Sequence, residues 1–157
     1  MKTPDVIELL AGAALFSGVA RPLLEQVADA LGEESHERGT VIFRYGDPGD
    51  TMYLVRSGRV RISRTIPGLG EEALAMLGEG GVFGEMALLD DSPRSADAIA
   101  QQRCRLLTLE RRSFEDLLFL NRDLAHEVLW GLVRMLSARL RETTDKLTML
   151  SGTAKFQ

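Results

Sequence analysis

The chain is poor in the residues that build metal centres and nucleophilic active sites. Among its 157 residues there is one cysteine, Cys104, and there are two histidines, His36 and His126. One thiol excludes an internal disulfide and a four-cysteine zinc or iron–sulfur centre. The histidines lie far apart and form no ligand-spaced set, which argues against a metal site, including one of cupin type. No nucleophile and base can be paired, so the sequence is not read as an enzyme and no cofactor is called for. Cys104 sits in the strand-like "RCRLLTLE" and reads as a buried structural thiol.

Long apolar runs are missing too. None approaches the roughly 18 residues of a membrane span, and the N-terminus lacks the basic region and apolar core of a secretory signal. The expectation is a cytoplasmic protein with no membrane partner. Positive charge is not in excess: 19 basic residues face 23 acidic ones, a net charge of −4. The electrostatic footprint of a stand-alone nucleic-acid binder is therefore absent. No repeat, low-complexity linker or Walker A sequence interrupts the chain, and 1–157 reads as one domain with a single core.

Three zones of pattern are present. Residues 1–33 are helical: "PDVIELLAG" puts Val6, Leu9 and Leu10 on one face, and "ARPLLEQVADALG" repeats Leu23, Leu24, Val27 and Leu31 before Gly32. From 34 to 110 the period is two. "GDPGD", 46–50, is a dense turn, and "TMYLVRSGRVRISR" alternates Met52 and Leu54 against Tyr53 and Val55, breaking at Ser57-Gly58 as a hairpin would. "EEALAMLGEGGVFGE" adds a strand and a glycine-rich corner, and "SADAIAQQRCRLLTLE" two strands turning near 101–103. Short strands at such intervals indicate an antiparallel β-roll or jelly-roll barrel, giving an α+β fold with N-terminal helices and a long C-terminal helix.

Helical pattern returns over 111–150, with Ser113 and Asn121 as candidate caps and Gly131 as the one weak point of the long run. Val133, Leu136, Leu140, Thr143, Leu147 and Leu150 alternate spacings of three and four. The stretch from Leu124 to Leu132 can pack on the chain's own strands. The part beyond Leu140 is too long for that and suggests a homodimer through this helix.

The stretch "FGEMALLDDSPRSADA", 83–98, carries the chemistry. Gly80, Gly81 and Gly84 let the main chain approach a ligand, and a short helix starting near Glu85 would favour an anion at its positive end. Arg94 offers a planar fork for phosphate oxygens, and Ser95 a hydroxyl. Ionised Glu85 has only acceptors and suits a hydroxyl instead. Together they suit a sugar phosphate or nucleotide with about one negative charge; a plain salt bridge between Glu85 and Arg94 is the alternative.

The same stretch resembles the phosphate-binding cassette of the cyclic-nucleotide-binding domain family, in its catabolite activator protein-like regulatory form. That pattern runs Phe-Gly-Glu, small or apolar residues, a variable loop, then Pro-Arg and a small or hydroxyl residue. "GTVIFRYGDPGDTMYLVRSGRVRI", 39–62, resembles the family's strands and glycine turns at matching separation. The resemblance implies a β-roll that binds a cyclic nucleotide, cyclic AMP before cyclic GMP. Glu85 would take the ribose 2′-hydroxyl and Arg94 the phosphate, with contacts from Phe83, Gly84, Met86, Ala87 and Ser95. It also implies a C-terminal helix that closes over the base, with Thr143 and Thr144 at the base edge, and that transmits occupancy to an unknown effector. The helix-turn-helix module of the transcription-factor branch is not expected in this chain. Asp97 departs from the pattern: sharing a strand face with Ser95, it is expected to weaken phosphate binding. A ligand-free interaction or dimerisation module of the same fold is the alternative.

Overall fold

The computed structural model describes residues 4–155; 1–3 and 156–157, which the 1–157 span includes, lie outside the described residues. Helix α1 (Pro4–Gly12), a short 3-10 helix (Ala14–Phe16) and α2 (Arg21–Ala30) come first. Pro22 falls in the first turn of α2, where its missing N–H removes no intrahelical bond. Of the faces read from periodicity, Val6, Leu10, Leu24, Val27 and Leu31 are buried and Leu9 and Leu23 half-buried, while Ile7 and Ala28, not among those read, are buried beside them.

Eight strands follow: β1 (Gly32–His36), β2 (Val41–Phe43), β3 (Thr51–Ser57), β4 (Val60–Ile66), β5 (Gly70–Leu77), β6 (Val82–Phe83), β7 (Asp97–Ala100) and β8 (Cys104–Glu110). They form two four-stranded antiparallel sheets, ordered β1-β8-β3-β6 and β2-β7-β4-β5. The sheets make a roll and do not close into a barrel through hydrogen bonds. Consecutive strands other than β4 and β5 cross from one sheet to the other, and this corrects the hairpin expected at Ser57-Gly58. Both edges of β3 are taken, by β8 and β6, so β4 continues in the opposite sheet and pairs with β5 and β7. The hairpin is β4–β5, with Val60 opposite Leu77 and Ile66 opposite Gly70.

Alternation along β3 divides the interior in two. Met52 and Leu54 join Leu107 and Leu109 beneath the helices, in the cluster that includes Leu10, Phe16, Phe114 and Leu124. Tyr53 and Val55 face the other way, into the roll, with Val60, Phe83, Ala98, Ala100, Cys104 and Leu106. Cys104 is a free, buried thiol, and burial pushes its pKa up. Burying a chain of this size on both faces of one strand places β3 at the centre of the hydrophobic stabilisation.

Two more helices complete the fold, α3 (Arg111–Leu120) and α4 (Arg122–Lys155). Neither expected cap forms. Glu110 precedes α3 without a side-chain cap, and the Asn121 side-chain amide donates back to the Leu117 carbonyl at 3.1 Å, closing α3 instead of opening α4. Gly131, read as a weak point, is a contact: a Cβ there would stand 2.5 Å from the Leu15 carbonyl oxygen. Leu124, Val128 and Leu132 of α4 are buried, whereas every residue from Ala138 to Ser151 is exposed. Among the described residues no helix is long and apolar enough to cross a membrane.

Candidate functional site

Phe83 ends β6, and Gly84 turns the chain into a four-residue 3-10 helix, Glu85–Leu88. Gly84 has φ of 72°, and a Cβ on it would lie 2.8 Å from an Arg94 guanidinium nitrogen, so both backbone and space require glycine. The expected helix dipole is corrected by this geometry. Four residues of 3-10 helix align few peptide groups, so attraction for an anion falls to Arg94.

The backbone of Arg94 is held by the loop after β2. Its N–H donates to the Asp47 carbonyl and its carbonyl accepts from the Gly46 N–H, both at 2.8 Å. The Asp47 carboxylate accepts from the Arg44 N–H at 3.0 Å, which fixes the loop itself. The "GDPGD" turn thus positions the arginine as well as shaping the roll. The Arg94 side chain then turns inward, and the residue is only 7% exposed. Its guanidinium lies 4.2 Å from the centroid of the Phe43 ring. One terminal nitrogen donates to the Thr51 carbonyl at 2.9 Å and the other to the Gly84 carbonyl at 3.4 Å. Nε has no hydrogen-bond partner. Burial draws the pKa of Arg94 below its usual value, while Tyr53, Asp50, Asp47 and Glu85 push it back up, and the group stays cationic at neutral pH.

Glu85 is 2% exposed and ion-paired with Arg139 of α4. Phe83 stacks on Tyr53, centroids 4.9 Å apart, and lies 6.0 Å from Phe43, so three aromatic rings wall the roll next to Arg94. The Tyr53 hydroxyl is pushed up in pKa, chiefly by burial. A cavity of about 450 Å³ opens nearby, lined by Pro48, Gly49, Asp50, Asp91 and Arg111.

Of the residues singled out in the sequence, Phe83, Gly84, Glu85, Ala87 and Arg94 come together. Ala87 is buried, whereas Met86 and Ser95 lie exposed at the rim. Thr143 and Thr144 are exposed on α4, and no hydrogen bond or ion pair described here joins them to the cassette. Asp97 does not face the arginine's side of β7. Ala98 and Ala100 point into the roll, and Asp97, one residue earlier, lies on the opposite face. Its carboxylate accepts from the Tyr45 N–H at 2.6 Å, holding the end of β2. Sequence reasoning missed Arg139; the signal was helical spacing, since it lies four residues before Thr143 and shares its face. No group of three or more His, Cys, Asp or Glu able to hold a metal ion occurs among the described residues.

A two-sheet roll with a buried arginine and a buried glutamate at one end defines a small-molecule-binding β-roll. The chain belongs to the cyclic nucleotide-binding domain family, which matches residues 33–121. It is a ligand-binding family, not a catalytic one. The chain is 42% identical over 140 residues to the cyclic AMP receptor protein of Thermus thermophilus, covering 89% of this chain and 63% of that protein. Among solved structures, the Thermus thermophilus catabolite activator protein superposes with a TM-score of 0.81 at 40% identity, covering 88% of this chain and 63% of that one. The N-terminal domain of a transcriptional regulator from Streptomyces coelicolor gives 0.78 at 31% identity, covering 88% and 94%. The chain therefore spans less than two thirds of the length of the curated relatives it matches.

Removing the Asp97 carboxylate leaves the Tyr45 N–H without its charged acceptor. Asp97→Ala should lower unfolding stability by about 1–3 kcal/mol in denaturant titration, and Asp97→Asn, which keeps an acceptor, by less. Neither should tighten nucleotide binding; a gain in affinity would show that the carboxylate opposes the phosphate.

Proposed function

We propose that the chain is a regulatory module that binds cyclic AMP, with cyclic GMP as the competitor, between Glu85 and Arg94. The observation that carries this reading is the buried Arg94 guanidinium with its Nε unpartnered. A phosphodiester carries one negative charge and two free oxygens, which one guanidinium matches in both charge and geometry. Glu85 accepts from the ribose 2′-hydroxyl, the complementary donor for an acceptor-only group. Main-chain groups of Phe83, Gly84, Met86 and Ala87 shape the phosphate turn, and Ser95 supplies a hydroxyl at its rim. Similarity to a cyclic AMP receptor protein supports cyclic AMP as the first ligand to test.

Occupancy is linked to α4 through Arg139. The ribose hydroxyl and Arg139 draw on the same buried carboxylate, so a nucleotide at Glu85 alters the free energy of the α4 position. Thr143 and Thr144, further along α4, serve the base edge when the helix closes over the roll. The ligand-free alternative drew on Asp97, and with that carboxylate committed to Tyr45 no specific observation favours it.

The distal half of α4 serves as a dimer seam. Leu140 is 68% exposed, and Leu147 and Leu150 are similarly uncovered on one stripe. A second copy of the same helix covers such a stripe by symmetry.

Calorimetry on nucleotide-free protein should give cyclic AMP binding in the micromolar range or tighter, and Arg94→Ala should lose it at the same concentrations. No heat with either nucleotide would reject the reading, and unchanged affinity in Arg94→Ala would reject the arginine's role. Sedimentation velocity should show a dimer that Leu140→Asp converts to a monomer. A monomer in both proteins would contradict the seam.

A further inference from the structure

Arg111 bonds to three residues of the cassette, Ala87, Asp90 and Asp91, yet nothing in the ligand chemistry above calls for it. It is the first residue of α3, and its N–H donates to the Asp50 carbonyl at 2.7 Å, anchoring the start of the helix beside the lead-in to β3. Its guanidinium reaches back over the cassette with all three nitrogens. Nε donates to the Ala87 carbonyl at 2.7 Å, one terminal nitrogen donates to the Asp90 carbonyl at 2.6 Å, and the other pairs with the Asp91 carboxylate.

These acceptors mark the point where the 3-10 helix gives way to the variable loop. The carbonyls at the end of a helix lack intrahelical partners and must find donors elsewhere. Here one rigid, planar donor set satisfies one of them, on Ala87, together with the Asp90 carbonyl two residues past the helix, and that fixes the direction in which the loop leaves. Glu85 lies at one end of this segment and Arg94 at the other. Setting the exit of the 3-10 helix therefore sets how the carboxylate and the guanidinium are held relative to each other.

We infer that Arg111 is a positioning residue: it clips the cassette in binding geometry and fastens it to α3. The inference rests on the cyclic-nucleotide reading for its effect on affinity, but the clip itself is testable without ligand. Because α3 meets α4 at Asn121, the clip also gives the cassette a second polar tie to the C-terminal helices, separate from the Arg139–Glu85 pair.

Four variants of the 157-residue chain separate positioning from general stability: Arg111→Ala, Arg111→Lys, Asp91→Asn and Phe114→Leu. Phe114 is buried in α3, in the core cluster that also holds Leu88, and makes none of the clip's hydrogen bonds, so it controls for loosening of the packing between helix and cassette. Cyclic AMP affinity by calorimetry should fall about tenfold or more in both Arg111 variants, since an ammonium keeps the charge but cannot span the acceptors. Asp91→Asn leaves both carbonyl bonds and should change affinity by less than about threefold. An equal loss in Phe114→Leu, or full affinity in Arg111→Lys, would overturn the inference.

Amide hydrogen exchange supplies the ligand-independent readout. The N–H groups of Ala87, Leu89 and Asp90 bond to the Gly84 and Met86 carbonyls inside the cassette. They should exchange faster in Arg111→Ala and not in Phe114→Leu. If the wild-type protein binds neither cyclic nucleotide, the functional reading fails while this exchange result still decides whether Arg111 holds the cassette. Unchanged exchange in Arg111→Ala would refute the clip.

Discussion

A guanidinium withdrawn from water is the constraint around which one end of this roll is arranged. Taking an ion out of water is costly unless other groups replace its hydration. Arg94 recovers part of that loss from the Thr51 and Gly84 carbonyls and part from the face of Phe43. The bare Nε leaves one donor unused, and an unmade hydrogen bond on a buried group costs about 1–3 kcal/mol. No group of the chain partners that donor, which lies against Gly49, and in the proposed reading the side chain turns it toward a phosphate oxygen. The loop 44–50, the positive φ of Gly84 and the aromatic wall all follow from the need to hold this side chain inside.

The rest of the architecture ties that site to the helices. β3 is buried on both faces, so its inner residue Tyr53 lines the site while its outer neighbours Met52 and Leu54 pack beneath the helical layer. Close packing on both faces of one strand is the route by which the proposed signal would pass from cassette to helices. Two polar links run in parallel with this packing: Arg139 on α4 reaches Glu85, and Arg111 on α3 reaches the other end of the 3-10 helix. The first half of α4 is anchored through Gly131 against Leu15, while the second half projects from the domain with its apolar stripe uncovered. An anchored root and an uncovered distal half suit the lever proposed above, with Arg139 as its contact to Glu85.

Local patterns in the sequence carried the elements well. The alternation of Met52, Tyr53, Leu54 and Val55 corresponds to the two interior clusters, and the change in α4 from packed to uncovered falls where the seam outgrows the strands. Glu85 and Arg94 stood out because their spacing within one short segment suits a ligand, and the structure buries both. Sheet membership was not legible at Ser57-Gly58: a period of two reads the same whether the next strand pairs or crosses over, and occupied edges of β3 decide the matter. Asp97 was misplaced for a related reason, since its partner is a backbone N–H brought in by another strand end. Arg139 joins Glu85 from a distant helix: helical spacing puts it on the face of Thr143, but no local period names Glu85 as its partner.

The central claim is that Glu85 and Arg94 hold the two ends of one nucleotide, and the Glu85 end is tested most directly by deleting the hydroxyl from the ligand as well as the carboxylate from the protein. Affinities of cyclic AMP and 2′-deoxy cyclic AMP should be compared for the wild type and Glu85→Ala. The account predicts that the wild type discriminates against the deoxy ligand by about 10- to 100-fold, the range for a hydrogen bond to a charged group, and that Glu85→Ala does not discriminate. Equal discrimination in both proteins would contradict it.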